Sequence, residues 1–164
     1  MQLTQWTDYS LRVLMYCAAC ERRAARVTIT EISEKFRISR NHLTKIVHDL
    51  SVRGLLETTR GRGGGLRLMQ PAQAVTVGSV VRVTETDFRL VECFDPLGNQ
   101  CCVSGQCTLT GVLDQALASF LKVLDQVTLA DMVRPRPNSS DDGWQALVRL
   151  PETVPRSVLL QEAA

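Results

Sequence analysis

Apolar positions recur at helical spacing through much of the first half of the chain. Leu11, Leu14, Met15, Ala18 and Ala19 form one stripe. It predicts a first helix that starts at Thr7 and Asp8 and ends near Arg22 and Arg23, cations suited to a helix C-terminus. Thr28-Ile-Thr-Glu31 has the form of a capping box and opens a short second helix that runs to about Phe36. Arg37 and Ile38 read as a turn, and Ser39 caps a third helix. That helix carries Leu43, Ile46, Val47 and Leu50 on one face and polar residues on the other, and Gly54 is placed to end it in a left-handed conformation. Two β-prone pieces, around 55–58 and 66–69, flank Arg60-Gly-Arg-Gly-Gly-Gly65 and predict a hairpin with a flexible basic tip.

Beyond Pro71, Thr76 caps a fourth helix containing Val77, Val80, Val81 and Thr84, and 88–94 reads as a strand. A cysteine-rich loop over 95–107 follows. Leu109, Val112, Leu113, Ala116, Leu117, Phe120, Leu121 and Leu124 then make a long unbroken stripe, with a last short turn at 128–132. From 134 to 143 the composition shifts to Pro, Asn, Ser and Asp, which reads as disorder. The fold expected is mainly α with a small β-hairpin wing. A winged helix-turn-helix domain covers 1–75, a cysteine loop and long dimerisation helix cover 76–133, and a disordered tail covers 134–164.

Charge sharpens this division. The net charge is only +2, but residues 1–70 hold twelve Lys or Arg against six Asp or Glu, and residues 71–164 hold seven against eleven. A basic first half joined to an acidic second half suggests a polyanion-binding module attached to something else. The third helix supplies the surface: Arg40, Asn41, His42, Thr44, Lys45 and His48 stand opposite its apolar face, where a helix entering a major groove needs base-reading and phosphate-binding groups. Thr28 and Ser39 at the helix starts, with Arg60 and Arg62 at the hairpin tip, complete the candidate DNA-facing set. The plain alternative is a solvated helix face beside a mobile loop; the conjunction with the charge asymmetry favours DNA.

Cys93, Cys101, Cys102 and Cys107 lie within fifteen residues. Thiolates are soft ligands for zinc, copper(I) or iron–sulfur clusters. Seven residues separate Cys93 from Cys101 and five separate Cys101 from Cys107, wider than the gaps of about 2–4 in a zinc knuckle. A loop wrapped around a larger inorganic group fits better, with reactive thiols as the alternative. Cys17 and Cys20 form a C-x-x-C inside the first helix, without the preceding strand or helix N-terminal position that would activate a thiol. They read as small helix residues, Cys20 on the far side of the apolar stripe. The chain lacks the basic and apolar pattern of a secretory signal and any apolar run of the ~20 residues a bilayer span needs, so a cytoplasmic location is expected, where disulfides are rare. The stripe from Leu109 to Leu124 is longer than one small domain needs. It predicts a two-fold interface through Leu113, Leu117, Phe120 and Leu124, setting two recognition helices about 34 Å apart.

Trp6-Thr-Asp-Tyr-Ser-Leu-Arg12, Ile38-Ser-Arg-Asn-His-Leu-Thr-Lys45, Gly61-Arg-Gly-Gly-Gly65 and Cys93-Phe-Asp-Pro resemble the iron–sulfur winged-helix repressors over about residues 1–133. Within them the nitric-oxide-sensing branch is most similar, including Leu124-Asp-Gln-Val-Thr-Leu-Ala-Asp-Met132, and the cluster-assembly regulators come next. The resemblance implies one iron–sulfur cluster per subunit, of 4Fe–4S or 2Fe–2S type, held by Cys93, Cys101 and Cys107. Asp8 matches a residue that in some members ligates the cluster from the partner subunit; its other role is a carboxylate favoured at a helix N-terminus. Cys101 is preferred to Cys102 because the family's final gap has five intervening residues. The implied function is a homodimeric repressor of double-stranded operator DNA, released when nitric oxide nitrosylates the cluster. The alternatives are a regulator sensing cluster supply or redox state, or a zinc or iron–sulfur protein with no regulatory role. No Ser/His/Asp or paired-carboxylate grouping suggests an enzyme.

Overall fold

The computed structural model describes residues 2–95, 97–104, 106–134, 143–144 and 148. Helix α1 spans Gln5–Ala19. Its cap is Thr4, whose side chain accepts from the Thr7 N–H, so the helix starts earlier than the expected Thr7 and Asp8 and ends before Arg22. The reason is tertiary. Thr7 is fully buried and its hydroxyl meets Thr84 at 2.8 Å, which ties α1 to α4. Helices α2 (Ile29–Phe36) and α3 (Arg40–Val52) form the helix-turn-helix. Thr28 and Glu31 make the reciprocal capping box, and Ser39 accepts from the His42 N–H; each such cap stabilises by about 1 kcal/mol. Gly54, at φ 73°, turns the chain out of α3 where a side chain would be strained.

Strands β1 (Leu56–Thr59) and β2 (Gly65–Leu68) pair antiparallel, with Leu56 opposite Leu68 and Thr59 opposite Gly65. Val27 bridges to Leu66 on the open side of β2, which anchors the hairpin to the segment before α2. Helix α4 (Val77–Thr84), capped by Thr76, packs on α1, and the 18-residue α5 (Thr108–Asp125) packs on α4. Gly78 lets these last two approach: a Cβ there would lie 2.1 Å from the Asp125 carboxylate. Arg82 also pairs with Asp125. The short α6 (Leu129–Val133) returns to α1. The expected strand over 88–94 is absent. That stretch is irregular and ends in a short 3-10 turn at Glu92–Phe94, because its β-prone side chains find no strand to pair with among the described residues.

The core centres on α1, which is enclosed by α3, α4, α6 and β2. Val13, Leu14 and Tyr16 are inaccessible together with Ile32, Leu43, Leu50 and Leu56. Cys17 and Cys20 are buried in the same core; Cys20, expected within the first helix, is instead its C-cap, because α1 ends at Ala19. Most of the tail assigned to disorder lies outside the described residues. Trp144 and Val148 pack against the core, Trp144 with its ring centroid 5.9 Å from that of Phe36.

A polar knot joins α1, the segment after it and α2. Arg23 grips Glu31 through two nitrogens at 2.6 and 2.9 Å, and the Tyr16 hydroxyl donates to the same carboxylate at 2.8 Å. The Arg23 hydrogen bond is the main force holding Glu31 below its ordinary carboxylate value. A depressed carboxylate stabilises the fold above its unfolded-state pKa and loses that contribution as pH falls through the native one. Arg23→Met should therefore cost on the order of 2 kcal/mol at neutral pH, less than for a fully buried pair because both side chains are about a sixth exposed. The gap in melting temperature should narrow as pH falls from 7 to 3; a gap of constant size would show that the pair does not titrate with folding.

Candidate nucleic-acid interface and cysteine loop

The third helix divides cleanly. Leu43, Ile46, Val47 and Leu50 are buried, and Arg40, Asn41, His42, Thr44, Lys45 and His48 are all exposed. The periodicity that drives one face into the core leaves the other as a continuous polar surface. Thr44 donates its hydroxyl to the Arg40 carbonyl at 2.8 Å, and the His42 ring lies 6.4 Å from that of Tyr9 on α1. The hydroxyls of Thr28 and Ser39 are engaged in their caps. Arg60 and Arg62 stand exposed in the hairpin tip, free of any ion pair among the described residues. Thus α3 and the hairpin packed against it both present exposed cations. Trp6 links α1 to α3 by donating its indole N–H to Asp49 at 3.3 Å, a contact between distant segments that no local pattern announces.

The cysteines of the loop divide into two groups. Cys93, in the 3-10 turn, has its Sγ 3.3 Å from the Thr110 hydroxyl. Cys107 occupies the N-cap position of α5. It forms no cap hydrogen bond of full geometry, but the N–H groups of Thr110 and Leu109 face its sulfur and hold the thiol below its ordinary value. Thr110 thus stands beside both sulfurs; its place three residues after Cys107 was the signal for it in the sequence. Cys101 is half-buried and Cys102 exposed. All six cysteines are free thiols. Among the described residues, no three Cys, His, Asp or Glu side chains are gathered as a metal site, so Cys101 does not join the other two here. Asp8 faces Arg12 one turn on, with contacts of 3.0 and 2.7 Å. Cys17 and Cys20 stand apart from the loop, and burial pushes both thiols up.

Helix α5 contains no fully buried residue. Leu113, Leu117, Phe120 and Leu124 are half-buried, and Leu109, Val112 and Val123 are more than half exposed. Beside Cys93, Phe88, Phe94, Gly111 and Leu117 line an open groove of about 490 Å³. No helix is long and apolar enough to cross a membrane among the described residues.

Two capped helices around a tight turn, an outward polar face on the second and a basic hairpin behind it define a winged helix-turn-helix regulator. Residues 3–135 match the Rrf2 family, described as "Iron-dependent Transcriptional regulator", and the chain belongs to that family. It is similar to the HTH-type transcriptional regulator NsrR of Bacillus subtilis (strain 168), at 49% identity over 82% of this chain and 91% of that one. It is also similar to NsrR of Shouchella clausii, at 42% identity over 93% and 99%. Among solved structures it resembles T. potens IscR, with TM-score 0.62 and 25% identity over 80% of this chain and 85% of that one. The oxidized form of Staphylococcus aureus CymR shares the fold, with TM-score 0.64 and 23% identity over 80% and 95%. The protein is a transcriptional regulator of NsrR type and not an enzyme.

Proposed function

We propose that the protein is a cytoplasmic, homodimeric repressor that binds operator DNA and is released from it by nitric oxide acting at an iron–sulfur cluster. The observation that carries the reading is the exposed polar face of α3 in the same chain as a loop of four free cysteines, two of which, Cys93 and Cys107, stand beside Thr110. Residues 1–75 serve as the reading head and 76–133 as sensor loop and dimer helix. Arg40, Asn41, His42, Thr44, Lys45 and His48 enter the major groove, Thr28 and Ser39 sit at the helix ends nearest the backbone, and Arg60 and Arg62 reach an adjacent groove.

The donor chemistry fits the cluster that the family implies. Cys93 and Cys107 are soft, unpaired thiols on either side of Thr110, and the helix-start N–H groups favour a thiolate at Cys107. Cys93, Cys101 and Cys107 would hold one cluster per subunit, of 4Fe–4S or 2Fe–2S type, with the Asp8 carboxylate of the second copy as an oxygen donor once Arg12 yields it. When bound, such a group supplies iron that nitric oxide attacks. The chain's part is mechanical: fixed ends at 93 and 107 hold the head of α5, α5 is pinned to α4 at Gly78 and Asp125, and α4 is tied to α1 through Thr84 and Thr7. A loop freed at those ends removes the constraint on the reading heads, a two-state device read out as DNA affinity. The resemblance of residues 6–12, 38–45 and 124–132 to the nitric-oxide-sensing branch is what supports the nitric oxide signal over a cluster-supply signal.

The test is direct. Anaerobically purified protein should be coloured, contain iron and sulfide, and bind a duplex selected by it from random sequence. Titration with nitric oxide should bleach the colour and release the duplex in parallel. Coloured protein that keeps its duplex after bleaching would remove nitric oxide as the signal.

A further inference from the structure

Arg37, in the turn between α2 and α3, is the one non-glycine residue with positive φ among the described residues, at φ 55° and ψ 38°. A side chain in this left-handed region crowds its own backbone, a conformation that glycine adopts freely. The turn does require it. Phe36 ends α2 half-buried, Ile38 must enter the core two residues later, and the Ser33 hydroxyl fixes the Ile38 carbonyl at 2.7 Å. Backbone geometry alone would therefore favour glycine at 37. The chain instead places there its largest cation, exposed and without an ion pair or hydrogen-bonded side-chain partner among the described residues. By contrast, Arg12, Arg23, Arg26 and Arg53 in the same half are each paired with a carboxylate. Unpaired cations flank Arg37: Lys35 before it, then Arg40 and Lys45 on the exposed face of α3. Strain held in a residue whose side chain does nothing for the fold points to a use outside the fold.

We propose that Arg37 is a DNA-contacting residue, a clamp on the sugar-phosphate strand beside the groove that α3 enters. The inference rests on the DNA-binding reading above and adds to it a residue outside the α3 face and the wing. A planar guanidinium with several donors suits a phosphate. From a turn rather than from the groove-entering helix, it supplies affinity and register but no base reading.

The substitution Arg37→Gly separates contact from fold, because relief of the left-handed strain acts on stability in the opposite direction to loss of the contact. Full-length wild type, Arg37→Gly and Arg37→Lys are compared on the selected duplex and on an unrelated duplex of equal length, from 50 to 200 mM salt. The glycine variant should melt no lower than wild type. Its plot of log affinity against log salt should be shallower by about 0.9, so that its deficit against wild type shrinks about 3.5-fold over that range. The loss should be the same factor on both duplexes, and the lysine variant should keep the wild-type slope. An unchanged slope for the glycine variant, or a loss confined to the selected duplex, overturns the clamp while leaving the regulator reading in place. A wild type that binds neither duplex overturns both.

Discussion

Replacing Cys93 or Cys107 with serine should abolish the visible chromophore of anaerobically prepared protein and lower its iron and sulfide content to background. A serine hydroxyl stays protonated where a thiol ionises, and a hard oxygen is a poor substitute for a soft sulfur at iron. The two positions should be equally sensitive, because both sulfurs stand beside Thr110 at the head of α5 and neither has a second thiol adjacent in sequence. Cys101→Ser should have the same effect and Cys102→Ser should not: Cys101 is half-buried and its N–H is held by the Asn99 side chain at 3.0 Å, whereas Cys102 is exposed. Cys17→Ala and Cys20→Ala should leave the colour intact. Both thiols are in the core, pushed up by burial away from the thiolate form, and their removal costs packing instead, about 1 kcal/mol each. Iron content, sulfide content and duplex release by nitric oxide are measured on the same samples. Full colour in Cys107→Ser would break the ligand set, and loss of colour only in Cys102→Ser would exchange the middle ligand.

What was legible in the chain divides along physical lines. The α3 face, the capping box at Thr28, the cap at Ser39 and the turn at Gly54 were legible because each is a local rule: a period of 3.6, a hydroxyl three residues before a carboxylate, a glycine after the last apolar position. The hairpin was legible from its glycines, within one residue at its ends. The start of α1 was not. Thr4 and Thr7 are both capping residues by type, and the choice is made by Thr84, 77 residues away, which takes the Thr7 hydroxyl. The burial of Cys20 was missed because α1 ends at Ala19, and at the C-cap helical spacing no longer tells which way a side chain faces. The strand expected over 88–94 rested on composition alone, and composition does not supply a partner edge. The cysteine loop is the extreme case. The family resemblance set the three ligand candidates, but the approach of Cys93 and Cys107 to Thr110 depends on how the chain after α4 returns to the head of α5, which no periodicity encodes.

Leu117→Asp should split the protein into monomers and lower its affinity for a two-half-site duplex by about 100-fold or more, the gain that joining two binding units typically confers. The reason lies in α5. Eighteen residues with leucines at 109, 113, 117, 121 and 124 form a helix in which nothing is fully buried by its own chain. Such a surface is covered in a stable protein. The occupant that needs no further partner is a second copy, since two identical stripes related by a two-fold axis present each other with the same side chains. Leu113, Leu117, Phe120 and Leu124 are each half-covered already, as residues at the seam between a chain and its partner would be. An aspartate at 117 would place an unpaired charge in that seam. The reading head should survive the change, because α5 is fastened to its own chain at the other end, where Arg82 pairs with Asp125 and Gly78 admits the close approach. Far-ultraviolet circular dichroism should therefore match wild type while sedimentation reports a halved mass, and Leu117→Met should remain dimeric. A Leu117→Asp protein that sediments as a stable dimer would place the two-fold interface off α5, and with it the spacing of the two α3 helices.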